Sequence, residues 1–266
     1  MTDTLNGFVN LPEDAYHSRP EVSATWLKEL CRSPAHLKYL MDNPPEQTQA
    51  MRFGSAVHAL LLEPDRFATL YGCRPEVDAR TKAGKEAIQA AESEGKTLLK
   101  VDEWQALSMI RASIEAHPAK ILLSGNGRRE QAIFWQDRET GIRCRCKPDY
   151  LGIHHVVDIK TTTDASPDGF RRVVENLKYM IQATHYLNGI EEITGERPRW
   201  FFLAIEKEPP YVCAVYEPDD EARCWGKKKV SRLLQEYASC LESGHWYGYG
   251  DNAMLMSISD WARRER

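Results

Sequence analysis

The stretch Lys147-Pro148-Asp149-Tyr150-Leu151-Gly152-Ile153-His154-His155-Val156-Val157-Asp158-Ile159-Lys160 gathers carboxylates and ammonium groups around an apolar run. Side chains of an extended strand alternate between faces, so Asp158 and Lys160 share one face while Val157 and Ile159 share the other. The apolar pair can enter a core while the carboxylate and ammonium stay together on the opposite side. Asp149 precedes the turn at Gly152, and a hairpin there returns it beside Asp158. Two carboxylates converging at a sheet end make an oxygen-rich site suited to Mg²⁺ or Mn²⁺. A lysine beside them can orient or activate a water and offset charge developing on a phosphoryl oxygen. The plain alternative is an Asp158 to Lys160 ion pair on a half-exposed strand.

The flanking elements must hold that stretch in place. Ser23 precedes a helical run over 24–31, and Ser33-Pro34 opens a second one to about Met41, with serine as N-cap and proline at the first helical position. Ser55 to Glu63 is strongly apolar and closed by Pro64, which predicts a buried helix carrying His58. Thr81 to Gly84 reads as a polar, basic loop before helical patterns at 85–94 and 102–117. Gln131 to Trp135 and Ile142 to Lys147 predict a hairpin around Asp137 to Gly141. In it Cys144 and Cys146, two apart, share the buried face. His155 to Lys160 is a third strand. Ser166-Pro167-Asp168 starts a long helical stretch to Gly195 with a break near Gly189. Strands over 200–205 and 211–216 and a helix over 219–241 complete the pattern. The order predicts one α/β domain over residues 1–266: a helical part over 1–125, a strand-rich centre over 126–217, and a C-terminal helix with an aromatic tail over 218–266.

Composition sets the outer bounds. A chain of 266 residues can bury a core without disulfides or a structural metal. Apolar residues at 42% and charged ones at 28% exclude disordered, collagen-like and membrane-spanning classes. The cysteines show no C-x-x-C spacing, Met1 to Asn10 lacks a secretory pattern, and no apolar run approaches a membrane span, so a cytoplasmic location is expected. The net charge of -4 argues at first against nucleic acid. The basic residues are unevenly spread, however. Arg143, Arg145 and Lys147 fall on one strand face leading toward Asp149 and are the best candidates for phosphate contact. Arg80, Lys82 and Lys85 form a second cluster, and Lys227-Lys228-Lys229 with Arg232 a third.

Pro148-Asp149, Asp158, Ile159 and Lys160 resemble the PD-(D/E)xK nuclease motif. Gln182 and Tyr186, one helical turn apart, resemble the Q-x-x-x-Y signature of RecB-type nucleases. The segment Met51 to Pro64 resembles the upstream helix that supplies their metal-binding histidine. With Arg80 to Gly84 and the Trp/Tyr-rich C-terminus, residues 8 to 262 are similar to RecE-type exonucleases, the nuclease domain of exodeoxyribonuclease VIII. The resemblance implies a restriction-endonuclease-like core, a central mixed β-sheet flanked by helices, with an N-terminal helical elaboration. It implies that His58, Asp149, Asp158 and the main-chain carbonyl of Ile159 ligate Mg²⁺ (Mn²⁺ substituting), with Glu130 helping to hold a second metal. Lys160 becomes the catalytic lysine, and Gln182 and Tyr186 contact the DNA backbone or the reacting phosphate. Cys31, Cys213, Cys224 and Cys240 lack the close spacing of an iron-sulfur cluster, so none is expected. The implied activity is 5′-to-3′ digestion of double-stranded DNA ends to 5′-mononucleotides, leaving 3′ tails. A homo-oligomeric ring (tetramer over trimer), a RecT-type single-strand annealing partner, and a phage or prophage origin in a bacterial cell follow from the same resemblance. An endonuclease or single-strand nuclease of the same superfamily, and a catalytically idle DNA-binding recombination protein, are the alternatives.

Overall fold

A computed structural model describes residues 5–78, 80–250 and 252–258. The chain opens with β1 (Gly7–Val9) and α1 (Glu13–His17), then α2 (Ala24–Leu30) and α3 (Pro34–Asp42). Ser23 and Ser33 cap these two helices, their hydroxyls accepting from the N–H groups of Trp26 and His36. The His58 helix, α4 (Gln49–Leu62), begins at Gln49 and not at Ser55, because Thr48 caps it by accepting from the Met51 N–H. α5 (Pro64–Leu70), β2 (Tyr71–Cys73), α6 (Lys82–Glu92), β3 (Thr97–Leu99) and α7 (Val101–Ala116) follow. The expected loop at Thr81 to Gly84 is instead a helix start: the Thr81 hydroxyl accepts from the Gly84 N–H, which places Lys82 in the first turn of α6.

The centre contains β4 (Arg128–Arg129), β5 (Ala132–Gln136), β6 (Arg143–Cys146), β7 (Tyr150–Leu151) and β8 (His155–Thr162). After them come α8 (Pro167–Asn176), α9 (Tyr179–Thr194), β9 (Arg199–Glu206), β10 (Cys213–Tyr216) and α10 (Asp220–Ser243). β5 and β6 form the predicted hairpin and join β1 in a three-stranded sheet. The remaining central strands make a five-stranded mixed sheet in the order β10-β9-β8-β7-β4, with β8 and β9 parallel and the other pairs antiparallel. The helix break falls at Leu177-Lys178, where Lys178 takes a left-handed φ of 55°, and not at Gly189. Gly189 lies inside α9 for a packing reason: a Cβ there would sit 2.6 Å from the Trp135 ring. Its missing side chain lets α9 lie against β5.

β8 divides two cores. Val157 and Ile159 pack with Val57 and Leu60 of α4 and Ile110 of α7. Val156 packs on the other side with Ile181 of α9, Leu234 of α10 and Leu27 of α2. The alternation read from the sequence is therefore real, but both faces of β8 are covered, and Asp158 is only 1% exposed. Among the described residues no helix is long and apolar enough to cross a membrane.

Candidate active site

Four segments meet at the β7–β8 hairpin. Tyr150 stands opposite Val157, so Asp149 is returned to β8, and its Oδ2 accepts a 2.6 Å hydrogen bond from the Ile159 N–H. His58, reaching in from α4, donates from Nε2 to the Ile159 carbonyl at 3.1 Å. Its Nδ1 lies 3.5 Å from both Asp149 Oδ1 and Glu130 Oε1. Glu130 takes a left-handed φ of 48° between β4 and β5, and its N–H donates to the Asp149 carbonyl. A non-glycine residue in that region is strained, and such strain is a feature of functional positions. One ligand atom from each of His58, Glu130 and Asp149 falls within 4.8 Å of the others, a group that could hold a metal ion. Burial alone would push His58 down, but Asp149 and Glu130 outweigh it and raise its pKa to about 10. Asp149 moves the opposite way: burial opposes ionisation, and His58 and Lys160 overcome it and hold the carboxyl low.

Asp158 stands outside that group of three and belongs to an adjoining network. Its Oδ1 accepts from Gln182 Nε2 at 2.8 Å. Its Oδ2 forms a 2.7 Å ion pair with Lys160, yet no donor is aligned on it as a hydrogen bond, leaving a buried oxygen with capacity to spare. Burial raises the Asp158 pKa to about 6 against the pull of Lys160. Lys160 stays protonated because Asp158 and Asp149 outweigh the burial that opposes its charge. Lys28 of α2, which no sequence pattern singled out, completes the network: its Nζ donates to Gln182 Oε1 at 2.9 Å, beside Lys160 at 3.4 Å. Both ammonium nitrogens lie 4.7 Å from the centre of the Tyr179 ring. Burial, with Lys160 adding to it, lowers the Lys28 pKa to about 7.

Other expected contacts go elsewhere. Arg145 is 3% exposed and donates to the carbonyls of Tyr16, His17 and Glu21, so it cannot meet phosphate. The N-terminal segment covers the face of β6 that alternation predicts to be open. Arg143 donates to the Leu5 carbonyl, and Lys147 is held between Glu13 and Glu130. Neither is the solvent-facing cation that the sequence predicts. Arg80 and Lys82 are exposed and loosely paired with Asp78 and Glu86. Tyr186 packs edge-on against Trp200 at the margin of the core, with Gln182 one turn away reaching the site. Arg145→Met should therefore lower stability by about 1–3 kcal/mol. Urea unfolding reads that loss.

A family model described as a PDDEXK-like domain of unknown function (DUF3799) matches residues 23–257. Among solved structures, a candidate exonuclease from Eubacterium rectale superposes with a TM-score of 0.63 at 15% identity, over 97% of this chain and 99% of its own. The alkaline exonuclease of Laribacter hongkongensis aligns at 14% identity over 84% of this chain and 92% of its own, with a TM-score of 0.30. No curated protein matches. The family match and the first superposition identify the mixed sheet and its flanking helices as a restriction-endonuclease-like core.

Proposed function

The chain belongs to the PDDEXK-like domain family DUF3799, and on that premise we propose that it is a divalent-metal-dependent exonuclease acting on the ends of double-stranded DNA. The observation that carries this reading is the convergence of His58, Glu130, Asp149 and the Ile159 carbonyl beside the Asp158–Lys160–Gln182 network. One imidazole, two carboxylates and a main-chain oxygen form a donor set that suits Mg²⁺ or Mn²⁺, and the unaligned Asp158 Oδ2 offers a further oxygen. When bound, a divalent cation supplies Lewis-acid charge at a phosphoryl oxygen and acidifies water.

The chain's own groups do the rest. The Ile159 N–H holds Asp149 Oδ2, which fixes the plane of the carboxylate and turns Oδ1 toward His58 and Glu130. Asp158 and Gln182 hold the Lys160 ammonium at the site, and its remaining N–H is available to the non-bridging phosphate oxygen on which charge grows. Gln182 fixes Asp158 from the opposite side. Cleavage in the 5′-to-3′ direction, release of 5′-mononucleotides, a ring of subunits and a RecT-type annealing partner rest on the motif resemblance to RecE-type exonucleases. Linear duplex labelled at either the 5′ or the 3′ end, and covalently closed circular duplex, test the reading with Mg²⁺ present. The 5′ label should leave first as mononucleotide while the closed circle stays intact. Linearisation of the circle, or earlier loss of the 3′ label, contradicts it.

A further inference from the structure

Lys28 and Lys160 come from α2 and β8, far apart in sequence, yet their ammonium groups converge on one amide oxygen and one aromatic ring. Two like charges held together in a partly buried place repel each other, and the repulsion is stronger where water is scarce. Asp158 forms the ion pair with Lys160, and Gln182 Oε1, a neutral acceptor, meets Lys28. An ammonium has three donors, and Gln182 Oε1 takes one from Lys28 and one from Lys160. A tetrahedral anion with several oxygens is the ligand that such a pair can share. Because Gln182 Oε1 faces the two cations, its Nε2 is directed to Asp158, which ties the cation pair to the metal-binding side of the site.

We propose that Lys28, Lys160, Gln182 and Tyr179 form a phosphate-binding subsite, in which Lys28 binds a non-bridging oxygen of the same phosphate that Lys160 contacts. The subsite rests on the nuclease reading for its substrate but not for its chemistry: the ligand class is a phosphate ester. Lys28 is then a substrate contact and not only a strut between α2 and α9. The Tyr179 ring carries both ammonium groups at cation–π distance and so holds them in position as the anion enters.

Lys28→Met keeps the aliphatic stem and removes the charge, and Lys28→Arg restores the charge. In steady-state digestion of linear duplex, Lys28→Met should lower kcat/KM roughly 10- to 100-fold. It should also reduce the slope of log(kcat/KM) against log[KCl] by about 1. Lys28→Arg should recover most of both, and all three proteins should unfold at similar temperatures. Thymidine 5′-monophosphate binding, read by calorimetry, tests the subsite without turnover and should weaken at least about tenfold in Lys28→Met. Equal nucleotide binding by wild type and Lys28→Met, or a loss of kcat/KM with an unchanged salt slope, overturns the proposal. Lys28-dependent nucleotide binding by a wild type that digests no DNA leaves the subsite standing and removes the nuclease reading.

Discussion

Asp158→Ala should lower Mg²⁺-dependent digestion of linear duplex DNA by about a thousandfold or more, with circular dichroism unchanged. The magnitude follows from how much one carboxylate organises. Asp158 is buried on β8, accepts from Gln182 through Oδ1 and pairs with Lys160 through Oδ2. Removing it frees the lysine and the glutamine together and takes an oxygen away from the metal-binding side. Groups acting as one unit lose activity non-additively. The Asp158→Ala/Lys160→Met double variant should therefore be little worse than Asp158→Ala alone. Additive losses would show that the two residues work independently, and digestion within about tenfold of wild type would remove Asp158 from the site.

The second large effect concerns stability. His185 of α9 is fully buried beneath the Trp135 ring, and its Nε2 donates to the carbonyls of Val22 and Arg145. Burial lowers its pKa from 6.5 to about 4, against the smaller raising effect of the two carbonyls. Between those values the unfolded chain binds a proton that the folded chain refuses, so stability is full above 6.5 and is lost as pH falls toward 4. The loss from pH 7 to pH 5 is on the order of 2 kcal/mol from this residue. In His185→Gln, which keeps a side-chain donor, the urea midpoint should be lower at pH 7 and fall less on acidification. A wild-type acid dependence in that variant would place the titrating group elsewhere.

What the sequence makes legible here is local. Alternation along 156–160 places Val157 and Ile159 in one core, and the short hairpin returns Asp149 to β8, as read from spacing alone. Ser23, Ser33 and Ser166 each cap the helix that follows, because capping is a contact between near neighbours. The misreadings at Arg145 and Gly189 involve distant partners. Arg145 lies on the face of β6 that alternation leaves open, but Tyr16, His17 and Glu21 close it from the other end of the chain. Lys28 meets Gln182 across most of the molecule's sequence, and nothing local to α2 marks it. Gly189 carries the residue type of a helix break, yet Trp135 packs into the space it leaves. The net charge of -4 acquires the same lesson. Arg143, Arg145 and Lys147 of the hairpin expected to meet phosphate are consumed internally, and the pair proposed to bind phosphate comes from α2 and β8.

The most direct test of the central claim is release of acid-soluble nucleotide from uniformly labelled linear duplex, by wild type, across a Mg²⁺ titration with a chelator control. Release that rises with Mg²⁺, stops on chelation and consists of 5′-mononucleotides is the expected result. No release at any Mg²⁺ or Mn²⁺ concentration, or release that persists in full after chelation, would contradict a metal-dependent exonuclease built on His58, Asp149, Asp158 and Lys160.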